Sequence, residues 1–215
     1  DLLGAGHDEF ELVAPDALDS VRRDIASAAT RVRTAAEAGD AREALAGMSS
    51  HRLLCAHREG PSGVEYWSRL AMDWIDVPEV ALATGNWYPG QPLLVTANDY
   101  DTGIFNGDTG VVVDVNGRPM VAFARGQSVK MLHPSQLVSA VPVYAMTIHR
   151  SQGSQYASVS VVIPPERSAL LTRELLYTAI TRASGHVRLI GTEAAIRAGV
   201  QRKVLRASGL RTQID

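Results

Sequence analysis

The sequence predicts an α/β fold: a mostly parallel sheet covered by helices on both faces, interrupted by a small antiparallel β unit. Three observations carry this. Apolar strands alternate with amphipathic helical stretches over 18–74 and again over 143–198, the rhythm of parallel strands joined by crossover helices. Between them, 109–132 breaks into short β-rich runs separated by Asn116-Gly117 and Gly126. The chain is 46% hydrophobic but only 6% aromatic, which suits an aliphatic core of Val, Ile and Leu better than an antiparallel sandwich.

In chain order, Leu18, Val21, Ile25, Ala28, Val32 and Ala35 recur at spacings of three and four and predict one face of a helix. Asp16 is the expected cap and Gly39 the expected stop. Asp40 is placed to cap a short second helix through Leu45, and 51–56 reads as a buried strand. After the polar turn 57–61, Ser62 is expected to cap a third helix with Val64, Trp67, Leu70, Ala71 and Trp74 on its inner face. The run 92–97 is a second strand. Runs 109–115, 118–124 and 128–132 follow, and Asn116-Gly117 between the first two predicts a type I′ hairpin, which needs positive φ at both central residues. The segment 99–140 therefore reads as a small antiparallel barrel inserted between two α/β segments, 1–98 and 141–215. Beyond it lie strands at 143–148, 158–163 and 186–190 and helices at 173–183 and 193–198.

Composition excludes several classes. The net charge of −2 gives no global basic signature, so any nucleic-acid contact comes from a local patch. Cys55, the one cysteine, sits in an apolar run and reads as a small buried hydrophobe, so no internal disulfide is possible and a reducing, cytoplasmic setting is expected. No apolar run is long enough for a membrane span. His7, His51, His57, His133, His149 and His186 lack metal-ligand spacing, so no metal site is expected. The first residue is Asp1, which suggests a fragment or a processed product.

Chemistry concentrates in polar segments after strands, where functional loops of parallel sheets lie. These are 57–60, 147–155 (reading T-I-H-R-S-Q-G-S-Q) and 171–182, and they are expected to share one edge of the sheet. A threonine hydroxyl such as Thr147 can hold a phosphate without committing charge, and Gly153 permits close backbone approach. Arg182, in the last turn of an apolar helix, can reach across an interface to a phosphate. Trp67 and Trp74 read as core, while Tyr100 and Phe105, near the insert, are the better candidates for rings on which bases could stack.

These segments carry a family resemblance. Y-A-M-T-I-H-R-S-Q-G-S-Q resembles motif V of superfamily 1 helicases, and L-L-Y-T-A-I-T-R-A resembles motif VI, in the same order. L-L-C-A-H-R-E-G-P-S-G-V resembles motif IV as it occurs in the RecD family, the exodeoxyribonuclease V α subunits. N-D-Y-D-T-G-I-F-N-G-D-T-G and the late R-A-S-G-L fit the same subfamily. Several ordered motifs together are specific where each alone is weak.

The resemblance implies the second RecA-like motor domain of a DNA helicase acting in double-strand break repair, with the β-rich insert as an SH3-like subdomain. It implies that Arg182 is an arginine finger on the γ-phosphate of ATP held by the first motor domain, with Arg58 a second arginine near the nucleotide. Thr147, His149 and Ser151 would face single-stranded DNA, with Gln152, Gly153 and Gln155 coupling that contact to the nucleotide. The family carries Glu at the position of Gln155, associated with the ribose, and Gln keeps an acceptor there but not the charge. ATP and Mg²⁺ as cofactors, RecB and RecC subunits as partners, and translocation from 5′ to 3′ are likewise implied.

One feature of ATPases is missing. No G-x-x-x-x-G-K-[ST] occurs, neither Lys130 nor Lys203 follows a glycine, and no Walker B acidic pair follows a strand. The chain is therefore expected to carry half of an ATPase site and to be inactive alone. The alternatives are a non-catalytic DNA-binding or protein-interaction module with a helicase fold, and a RecD-like helicase or conjugative relaxase-helicase working outside a RecBCD complex.

Overall fold

The computed structural model describes residues 9–75, 77, 81 and 86–203. The late 206–210 segment and His7 lie outside the described residues.

Two five-stranded sheets organise the described residues. The first is parallel, in the order β1 (Phe10–Val13), β10 (Ala183–Ile190), β9 (Tyr156–Val162), β2 (His51–Cys55), β8 (Ala145–Thr147). Because every neighbour pair is parallel, all carboxyl ends lie along one edge and all amino ends along the other. Alternation along the strands divides the core in two. On one face Leu53, Cys55, Ala145, Val162 and Ile190 pack against helices α1 (Asp19–Glu37) and α3 (Val64–Trp74). On the other, Leu54, Met146, Val159, Val161 and Leu189 pack against α4 (Arg173–Ile180) and α5 (Glu193–Gln201). Burial on both faces explains the near-continuous apolar runs of β2 and β9.

The second sheet is antiparallel, in the order β6 (Ser128–Leu132), β5 (Arg118–Arg125), β4 (Thr109–Val115), β3 (Pro92–Val95), β7 (Ala140–Pro142). Asn116 and Gly117 have φ of 55° and 77°, the signs that the type I′ turn between β4 and β5 requires. Both faces are buried. Val111, Val113 and Ala122 pack on α1 and α2 (Ala41–Met48), while Leu93, Val112, Val121 and Phe123 enclose Ile104 from the loop between β3 and β4.

Several expectations are corrected. The run 92–97 forms a strand, but β3 pairs with β4 and β7 and not with the parallel sheet, so the antiparallel sheet reaches beyond 99–140 on both sides. The expected strand at 143–148 shortens to β8 in the first sheet, and β7, which ends at Pro142 just before it, belongs to the second. A short apolar run shows that a strand forms but not which strand it pairs with. β1 was not anticipated. Two caps differ: α1 starts from Leu18 and α3 from Gly63, neither with a side-chain cap, so Asp16 and Ser62 do not serve. Asp40 does cap α2, accepting from Glu43 N at 3.0 Å.

At the amino half of the α1 face the apolar pattern gives way to a polar cluster. Arg188, 4% exposed, donates from Nε to Glu11 at 2.6 Å and pairs through Nη2 with Asp24 at 2.8 Å. His51 Nε2 lies 2.9 Å from Ser160 Oγ. Burial pushes the His51 imidazole down to about 4, aided by Arg52, Arg188 and His186 and opposed by Asp24. Cys55 is buried, and the same desolvation raises its thiol to about 12.

Candidate functional site

The singled-out residues fall on two opposite edges of the parallel sheet. At the carboxyl edge lies the loop after β2. There Arg58 is exposed, and its guanidinium bonds none of the described residues. The loop is fixed by its backbone, with Glu65 N donating to Arg58 O at 3.0 Å, and by His57 Nε2, 2.9 Å from Ser168 Oγ in the loop after β9.

Thr147 ends β8 at this same edge, level with Val162 across Cys55. Its Oγ1 accepts from Arg150 N at 3.3 Å, which turns the chain and leaves His149 and Arg150 exposed. Ser151 departs from expectation. It is 0% exposed, and its hydroxyl donates to Ile148 O at 2.7 Å, so it holds the turn from inside and presents nothing to a ligand.

The segment then crosses the sheet. β8 and β9 are both parallel to β2, which lies between them, so 148–155 leaves one edge and enters β9 at the other. Ile148 and Tyr156 anchor its two ends in the core shared with α4. Bonds from Ser151 N to Thr147 O (3.2 Å), Gln152 N to His149 O (3.3 Å) and Ser154 N to Ser151 O (3.0 Å) wind it tightly, and Gly153 takes φ of 85°. Gln152, Gly153 and Gln155 are exposed along this path.

At the amino edge the segment meets Arg182. α4 ends at Ile180, so Arg182 stands just beyond the helix and immediately before β10, where its carbonyl accepts from Tyr156 N at 2.8 Å. Its Nε donates to Thr178 O at 3.1 Å, Nη1 to Ser154 O at 3.1 Å and Nη2 to Thr181 Oγ1 at 3.3 Å. A guanidinium carries five N–H groups, so one on each terminal nitrogen has no partner among the described residues. These can donate to an anion such as a phosphate or carboxylate.

The three polar segments start at the shared carboxyl edge, but 147–155 and 171–182 end at the amino edge, so Arg58 and Arg182 are not brought together. The positions were readable, since a residue following a parallel strand sits at the carboxyl edge and one preceding it at the amino edge. Ser154 and Thr181, which hold Arg182, were missed. So was Arg52, 5% exposed and stacked 5.2 Å from the Tyr156 ring centroid.

Tyr100 and Phe105 lie in the loop between β3 and β4, 79% and 45% exposed, with ring centroids 6.0 Å apart in an edge-to-face pair. Trp67 is core, bonded through Nε1 to Pro61 O at 3.0 Å, and Trp74 packs against the same cluster. A cavity of about 390 Å³ between α1, α3 and β3 is lined by Ile25, Trp74, Tyr88 and Tyr144, and by none of the singled-out site residues. Among the described residues no three His, Cys, Asp or Glu converge as metal ligands, and no helix is long and apolar enough to cross a membrane.

Residues 142–190, which include β8, the crossing segment and Arg182, match the UvrD-like helicase C-terminal domain. Over 99% of its length the chain is 46% identical to the RecBCD enzyme subunit RecD of Mycolicibacterium smegmatis. The chain belongs to the RecD family. This RecD-family chain spans 38% of the length of that relative. It is also 32% identical, over 70% of its length, to the ATP-dependent RecD2 DNA helicase of Deinococcus radiodurans, of which it spans 21%. Among solved structures it resembles the Pif1 helicase from Bacteroides in complex with ADP-AlF3 and ssDNA. That match has 15% identity and a TM-score of 0.46, covering 82% of this chain and 49% of the other.

Proposed function

We propose that the chain is the second motor half of an ATP-dependent DNA helicase, a RecA-like domain with an SH3-like insert, and that it links a DNA contact to a nucleotide contact across its sheet. The observation behind this is the path of 147–155. It starts beside exposed His149 and Arg150 at one edge and ends with the Ser154 carbonyl bound to Arg182 at the other. A pull on Arg182 by a phosphate is a pull on the segment whose far end would touch DNA.

The residues present fit one side of a nucleotide. Arg182 offers a fixed fork to a terminal phosphate, where an arginine finger stabilises charge as the phosphoryl group departs. Gln152 and Gln155 stand exposed nearby in sequence, with Gln155 offering an amide where a ribose hydroxyl would bond. The phosphate cradle and the Mg²⁺ ligands fall to a P-loop domain, because this chain has no Walker A sequence. Bound ATP and Mg²⁺ supply the departing phosphate and its charge neutralisation. Arg58, at the opposite edge, is assigned to the DNA side. Thr147, His149, Arg150, Tyr100 and Phe105 complete that side, while Ser151 shapes the turn.

The relatives' names favour a RecBCD setting, with RecB and RecC as partners, over a solitary helicase, since identity to the RecBCD subunit is 46% against 32% for RecD2. The test is ATP hydrolysis by the 215 residues alone and by the parent protein, each with single-stranded DNA. Turnover only in the parent, stimulated by DNA, supports the proposal. Turnover by the isolated chain, or a parent indifferent to DNA, overturns it.

A further inference from the structure

Thr181 closes α4 as its C-cap, with helical dihedrals of φ −70° and ψ −2°. At a helix end the last carbonyls lack intrahelical donors, and the negative end of the helix dipole collects there. Thr181 Oγ1 lies 2.9 Å from Tyr177 O and 3.1 Å from Thr178 O. A hydroxyl has one proton, so directing it at these carbonyls turns the oxygen lone pairs outward. They meet Arg182 Nη2 at 3.3 Å.

We infer that Thr181 is the positioning residue that sets the plane of the Arg182 guanidinium; this rests on the reading above that Arg182 meets a terminal phosphate. Two contacts, Nε to Thr178 O and Nη1 to Ser154 O, fix an axis through the guanidinium. They leave it free to tilt about that axis. The third contact, to Thr181, stops the tilt and so fixes the plane in which the two unused N–H groups lie. Bidentate donation to phosphate is planar and directional, so a tilted fork loses most where geometry is strictest, in the transition state. Thr178 serves differently: its carbonyl holds Nε, while its own hydroxyl donates to Glu174 O at 2.8 Å and takes no part.

The experiment compares Thr181→Val, which keeps the shape and removes the hydroxyl, with Thr181→Ser, which keeps the hydroxyl, in the parent protein. Thr181→Val should lower kcat for DNA-stimulated ATP hydrolysis roughly tenfold to a hundredfold, with KM for ATP within about twofold. Thr181→Ser should restore kcat to within about threefold of wild type. Binding of ADP with aluminium fluoride, a mimic of the departing phosphoryl group, should weaken in Thr181→Val while binding of ADP alone does not. Unchanged kcat in Thr181→Val, or equal losses of ADP and ADP–fluoride binding, overturns the inference. If Thr181→Val does not fold, Thr181→Ala is read by the same two binding ratios. Arg182→Ala tests the underlying reading separately: if it keeps full turnover, that reading fails whatever Thr181 does. If it abolishes turnover while Thr181→Val is normal, only the positioning role fails.

Discussion

Arg182 Nη1 donates to the carbonyl of Ser154 at 3.1 Å, and this bond ties the end of one sequence motif to the end of another at the amino edge of the parallel sheet. The same crossing segment begins at Thr147, level with the last residues of β2 and β9. A short stretch of chain therefore reaches both edges of the sheet.

The carboxyl edge should behave as a DNA contact with distinct parts. Arg150→Ala should weaken single-stranded DNA binding and lower the salt slope by about one, as expected when one phosphate contact is lost. His149→Ala should weaken binding with a smaller change in slope. Ser151→Ala should leave DNA affinity unchanged and cost about 1 kcal/mol of stability, because its buried hydroxyl bonds only Ile148 O. A salt titration of binding beside a urea unfolding curve separates these outcomes, and a DNA defect confined to Ser151→Ala would contradict the placement.

Tyr100 and Phe105 are exposed and packed on one another, so their removal should barely affect folding. If bases stack on them, Tyr100→Ala and Phe105→Ala should each reduce affinity for single-stranded DNA by about 1–3 kcal/mol, with little dependence on sequence. Fluorescence anisotropy with labelled oligonucleotides checks this. Wild-type affinity in the double variant would leave the pair as a structural prop for its loop.

Acid should destabilise the chain through His51. Its folded-state value, about 4, lies below the ordinary 6.5, so the unfolded chain binds the proton more readily. The stability associated with neutral His51 is complete above pH 6.5 and is lost as pH falls toward 4, at about 1.4 kcal/mol per pH unit. Urea unfolding at pH 7.5 and 4.5 should show this loss, and His51→Asn should flatten it. An equal pH dependence in wild type and His51→Asn would assign the effect to other groups.

Much of the fold was legible in the sequence, because local patterns there decide local structure. β4, β5 and β6 and their type I′ turn fall almost where the apolar runs and Asn116-Gly117 place them, and the inner face of α3 centres on Trp67 and Ala71 as its spacing implies. Partnership was less legible. Nothing in the four residues of β3 says that they pair with β4 and β7, since a short buried run looks alike in either sheet. At the site, the segments that matter were recognisable from their residues, but side-chain roles depended on burial. Ser151 reads as a surface hydroxyl and is sealed inside the turn. Thr181 reads as one more polar helix residue and is bonded to Arg182.

Arg182 is the residue on which the proposed nucleotide contact depends. Its most direct test is steady-state ATP hydrolysis by the parent protein, wild type against Arg182→Ala, at saturating single-stranded DNA and with DNA affinity measured alongside. The account predicts a fall in kcat of roughly 10³-fold or more with DNA binding retained. An Arg182→Ala protein that hydrolyses ATP at the wild-type rate would contradict it.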